Sequence, residues 1–203
     1  MIEGPKACGK TATARQKAKS EVLLDVDDAA RAAAELDPTL VLDGAVPRLL
    51  DEWQLVPALW NHVRRLANER GPGQFILTGS AVPADEESRH TGAGRITRMR
   101  MRPMSLFESG FSTGDISLEG LLNGDPARSP DNGTTVPAIT EQICRGGWPA
   151  FQALSTKQAM VGVSGYLEEV RRTDVNRVDS SRRDPNLVGW FMRSLARNVA
   201  TSA

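Results

Sequence analysis

Tyrosine occurs once in this chain, cysteine twice and histidine twice, and aromatic residues make up 5% of it. Cys8 and Cys144 lie far apart and form no CxxC pattern. With no signal-peptide pattern, they are expected as free thiols in a reducing cytoplasm. His62 and His90 have no spacing that suggests a metal site or a catalytic triad. No apolar run reaches the roughly 18 residues a membrane span needs, so no membrane partner is expected. Charge of one sign is also lacking: 25 basic residues balance 25 acidic ones, so bulk charge selects no partner and only local runs carry weight. No internal repeat is evident. What remains is a 203-residue chain whose 40% hydrophobic content can fill a core, suiting one large domain or one domain and part of another.

The most informative stretch is the first. Gly4-Pro5-Lys6-Ala7-Cys8-Gly9-Lys10-Thr11 fits the phosphate-binding P-loop spacing. Its glycines let the backbone wrap closely around phosphate oxygens, with successive N–H groups turned inward. Lys10 supplies a mobile point charge for β and γ phosphates, and the Thr11 hydroxyl suits Mg²⁺. A helix from Thr11 and Ala12 to Ala18 is expected behind the loop, its N-terminus favouring an anion. A buried strand of about four to eight residues normally precedes such a loop. Only Met1, Ile2 and Glu3 do so here, so a truncated first strand is expected.

Strands are expected at Glu21–Asp25, Arg48–Asp51 and Gln74–Thr78. Between them fall an Ala-rich helix capped by Asp27 or Asp28 and a helix from Pro57 to about Glu69. Such alternation points to an α/β fold, a parallel sheet covered on both faces. Ala81 to His90 turns polar and is expected as a loop. From Arg95 to Arg102 a period of two sets Thr97, Met99 and Met101 on one side of a strand. Ile96, Arg98, Arg100 and Arg102 take the other. Residues 109–137 are rich in Gly, Pro, Ser, Asp and Asn and are expected as connection, with one short helix at Leu118–Leu122. Asn132-Gly133-Thr134 within it is treated as a turn. Helices are expected from Ile139 to Cys144, from a cap at Thr156, and from Asp184-Pro185 to about Val199.

A P-loop alone does not separate an ATPase from a kinase. Arg48-Leu49-Leu50-Asp51-Glu52-Trp53-Gln54 does more, since an apolar strand ending in Asp-Glu has the Walker B form. Asp51 is then a Mg²⁺ residue and Glu52 the group that polarises a water, or the pair simply ends a strand. Leu77-Thr78-Gly79-Ser80 ends the next strand, where ligands of open α/β sheets sit. Thr78 or Ser80 either orients the water or caps a turn. Arg95 is a candidate arginine finger or a strand-edge charge. The Arg98/Arg100/Arg102 face suits nucleic-acid phosphates or is a solvated edge.

Taken in order, these stretches resemble the prokaryotic AAA-type ATPases whose C-terminal half is a region of unknown function. The resemblance rests on Gly4 to Thr11, Leu49 to Pro57 and Phe75 to Ser80. Gly92-Ala93-Gly94-Arg95 and Arg102-Pro103-Met104-Ser105-Leu106-Phe107-Glu108 extend it, and Arg145-Gly146-Gly147-Trp148-Pro149 resembles the motif opening the second region. It implies a P-loop NTPase core over residues 1–108, a loop-rich connection over 109–137, and a helical, winged-helix-like region over 138–203. It further implies binding of ATP and Mg²⁺, Lys10 and Thr11 as phosphate and Mg²⁺ residues, and Asp51 and Glu52 as the Walker B pair. Thr78 falls nearest the sensor position, and Arg95 is a candidate sensor or finger. In the family a nuclease-like domain usually follows, so by this resemblance the chain reads as truncated at both ends. Three functions are weighed: ATP hydrolysis driving a conformational change, a catalytically silent module binding nucleic acid or protein, and a P-loop kinase.

Overall fold

The computed structural model describes residues 1–79, 92–131, 133–175 and 183–199. Expectations for Ser80, for the polar loop with His90 and for Asn132 lie outside the described residues. The chain divides into two compact units, Met1–Ser109 and Gly110–Ala203.

In the first unit, five strands form one sheet: β1 Ile2–Glu3, β2 Ser20–Leu23, β3 Arg48–Asp51, β4 Phe75–Gly79 and β5 Met99–Arg100. Their order is β2-β3-β4-β1-β5, and every neighbouring pair is parallel. Parallel neighbours need crossovers, here carrying helices α1 Lys10–Arg15, α2 Asp28–Leu36 and α3 Leu59–Arg70. Strand alternation sorts the core into two layers. Leu50 and Leu77 face Val22, Leu24, Trp53, Leu59, Trp60 and Val63, the layer toward α2 and α3. Their sequence neighbours Leu49 and Ile76 turn to the other face, with Ile2, Met101 and Ala14 of α1. A sheet buried on both faces explains why β3 and β4 read as continuous apolar runs.

Of the two acidic residues at the start of α2, Asp27 is the cap. Its side chain accepts from Ala30 N at 2.9 Å, whereas Asp28 pairs with Arg31 on the surface. Asp27→Ala is expected to cost about 1 kcal/mol and Asp28→Ala only a few tenths. Urea unfolding checks this: equal shifts of the two midpoints refute the assignment.

The last strand is much shorter than its period of two suggests. Only Met99 and Arg100 form a ladder, opposite Ile2 and Glu3, because β1 offers no further partner before the chain turns at Gly4. The alternation itself persists. Ile96 packs against the layer containing Trp60, and Met101 against the opposite one. Arg98, on the same side as Ile96, pairs with Glu3 at 3.1 Å and lies 5.9 Å from the Trp60 ring centroid. That side of the stripe is therefore partly engaged by Glu3 of β1 and Trp60 of α3; Arg100 and Arg102 are exposed.

The second unit's described residues form helices and no strand. They are α4 Leu118–Leu122, α5 Val136–Arg145, α6 Thr156–Glu169 and α7 Pro185–Asn198, with a π-helical turn at Val170–Asp174. Each helix begins at a side-chain cap: Ser117, Thr135, Ser155 and Asp184. The cap of α6 is Ser155 and not Thr156, because Ser155 and Gln158 form a reciprocal capping box. Trp148 stands edge-on to Tyr166 of α6, with centroids 4.9 Å apart. Among the described residues no helix is long and apolar enough to cross a membrane.

Candidate functional site

All strands being parallel, the carboxyl ends of β1, β3 and β4 share one edge of the sheet. The Gly4–Thr11 loop leaves β1 there, and Asp51 closes β3. Thr78, next to the end of β4, lies opposite both Ile2 and Asp51 in register. Residues from three separate stretches are thus brought together by strand pairing alone.

The loop winds through left-handed conformations at Ala7 (φ 59°) and Gly9 (φ 100°). Gly9 adopts its angle at no steric cost, while the alanine carries strain of order 1–3 kcal/mol. Successive turns of this kind gather backbone N–H groups into an anion-binding concavity. A Cβ on Gly4 would lie 2.3 Å from the Met101 carbonyl oxygen, so the loop enters between strands only as glycine. The Cys8 thiol is buried beside it. Pro5, Lys6 and Ala12 complete the loop and the start of α1.

Lys10 is 6% exposed, and its ammonium donates to the carbonyls of Gly4 (3.2 Å) and Pro5 (2.9 Å). The charge is therefore held inside the loop's own curve. Asp51, also 6% exposed, receives the Thr11 hydroxyl at 2.9 and 3.0 Å on its two oxygens. The Thr78 hydroxyl donates to the first of those oxygens. Both hydroxyls satisfy carboxylate oxygens that burial would otherwise leave without partners.

Glu52 ends the strand in a left-handed conformation, φ 51° and ψ 41°. Burial holds its carboxyl above the ordinary carboxylate range. The Gln54 amide, donating to Oε2, and the positive charge of Lys10 pull the other way. A carboxylate whose proton affinity is raised by burial is better suited to accepting a proton than one in open water.

Arg95 stands elsewhere. It precedes β5, on the amino-terminal side of the strands, and its Nε donates to Asn68 Oδ1 at 2.5 Å near the end of α3. The chain does not bring it to the loop at the carboxyl edge. Sequence reasoning also passed over Gln54, although it sits only two positions beyond Glu52; the sole signal is its place in Asp51-Glu52-Trp53-Gln54.

The donor set fits a nucleotide with Mg²⁺. Thr11 and Asp51 offer the hard oxygens that Mg²⁺ accepts, and such ions take one or two protein groups together with substrate phosphates. No larger cage is needed, and among the described residues no group of three or more His, Cys, Asp or Glu forms one.

Among curated proteins, none matches the chain. A family model described as an AAA domain matches residues 1–109, more than half of the chain and the whole of the first unit. With its five-stranded parallel sheet and the Gly4–Thr11 loop at the carboxyl edge, the chain belongs to the AAA domain family and carries an AAA-type ATPase domain.

Proposed function

We propose that this chain binds ATP with Mg²⁺ at the P-loop edge and hydrolyses it to ADP and phosphate, driving a conformational change. The observation carrying this reading is the convergence on Asp51. A hydroxyl from the P-loop helix and another from β4 both donate to the carboxylate that closes β3, with Glu52 next in sequence.

In this reading the loop amides and Lys10 hold the β and γ phosphates, and Thr11 and Asp51 hold the cation. Bound Mg²⁺ would supply positive charge against the phosphate oxygens. Glu52 accepts a proton from the attacking water as its oxygen bonds to the γ phosphorus. The bond from that phosphorus to the bridging oxygen breaks, and ADP leaves with the electron pair. Thr78 keeps Asp51 fixed in register with β4. Arg95, tied to Asn68, has no part in the step within its own chain.

Phosphate release from ATP by the full chain is the test. Hydrolysis should be Mg²⁺-dependent and abolished by EDTA, and phosphate should pass to water and not to an added acceptor. A protein that neither binds nor hydrolyses ATP refutes the reading; transfer to an acceptor replaces it with a kinase.

A further inference from the structure

The Glu52 backbone occupies a region that costs a residue with a side chain about 1–3 kcal/mol, and such outliers persist only where their surroundings fix them. Here the fixing group comes from the next turn. After Glu52 the chain makes a 3₁₀ turn at Trp53–Leu55, which carries Gln54 back so that its Nε2 donates to Glu52 Oε2. The opposite amide orientation would set Oε1 against a carboxylate, so charge dictates which end faces Glu52.

The far end of the same amide is unusual. Gln54 Oε1 is buried, and among the described residues no donor reaches it. It lies against Gly79, the last residue of β4: a Cβ built there would fall 2.2 Å from Oε1, 3.0 Å from Cδ and 3.4 Å from Trp53 Nε1. The amide is thus inserted between the Glu52 carboxylate and the bare backbone of β4, in a space that exists because residue 79 has no side chain. Desolvating an unmatched carbonyl oxygen is unfavourable, and the charge-assisted hydrogen bond to Glu52 is what offsets it.

We propose that Gln54 is a positioning residue for Glu52, orienting its carboxylate toward the phosphate edge, and that Gly79 is glycine to admit it. The assignment rests on Glu52 acting as proton acceptor. The other charged groups whose fields reach Glu52 are Lys10 of α1, Asp51 of β3 and Asp25 beyond β2. Gln54 adds what they do not, a directional hydrogen bond.

The experiment compares Gln54→Ala, Gln54→Met and Gly79→Ala in the full chain. Gln54→Met fills nearly the same space with no donor and no added charge beside Glu52, so a packing role tolerates it and a positioning role does not. All three should lower kcat for ATP roughly 10- to 100-fold, with KM and fluorescent-ATP affinity little changed. Gly79→Ala acts by displacing the flexible end of Gln54. In a Glu52→Gln background, Gln54→Ala should add nothing. Independently of activity, the Gln54 side-chain amide resonance of ¹⁵N-labelled protein should move in Glu52→Gln and in Gly79→Ala. Parental kcat in Gln54→Met, a faster Gln54→Ala, or full additivity with Glu52→Gln overturns the proposal alone. Parental hydrolysis by Glu52→Gln overturns the role of Glu52 and this proposal with it, whereas a parent chain that neither binds nor hydrolyses ATP overturns the functional reading.

Discussion

Lys10→Ala should lose ATP binding by roughly 100-fold or more. Hydrogen bonds from an ionised donor contribute about 1.5–3 kcal/mol each, and Lys10 is proposed to make them to two phosphates. The net loss is smaller than their sum, because the ammonium already donates to the carbonyls of Gly4 and Pro5. Those carbonyls sit at a loop surface that water can reach once the side chain is removed, so the fold should persist. Titration with fluorescent ATP reads the effect, and circular dichroism confirms that the variant is folded. A folded Lys10→Ala protein with parental affinity would remove the P-loop from the nucleotide site.

Glu52→Gln should do the reverse, binding ATP and failing to turn it over. The amide keeps the size of the carboxyl and most of its contacts but accepts no proton, and general-base groups contribute about 10²- to 10⁴-fold. Binding should be retained because Lys10, Thr11 and Asp51 are untouched. Single-turnover phosphate release, with affinity measured in parallel, separates the two quantities. Equal turnover in parent and variant would assign the water-activating role elsewhere.

The alternation of strands and helices was legible because each element buries a recognisable face. Leu49-Leu50 and Ile76-Leu77 are apolar on both sides, as a covered parallel sheet requires, and α4 begins and ends at Leu118 and Leu122 as composition suggested. That Thr11, Asp51 and Thr78 share one edge follows from parallel pairing, which aligns carboxyl ends whatever their separation in the chain. The rest depends on tertiary contacts. A period of two reports which way side chains point and not how far a partner strand extends, so β5 was overdrawn. Arg95 follows a Gly-rich turn, which gives no indication of the edge on which that turn lies; Asn68 decides it. Gln54 was hidden because its role depends on a left-handed turn at Glu52 and on the missing side chain at Gly79, neither of which has a sequence period.

The hydrogen bonds to Asp51 span 40 and 27 positions of chain, so nothing in an unfolded polypeptide approximates the cluster. A ligand held there recognises the paired sheet and ignores the open chain. It therefore acts as a thermodynamic clamp on folding, contributing about 2.7 kcal/mol at a hundredfold excess over its dissociation constant. That contribution is comparable with a sizeable part of a small domain's whole margin of stability. On the proposed function, nucleotide supply would set the fraction of molecules whose sheet is assembled as well as the rate of hydrolysis.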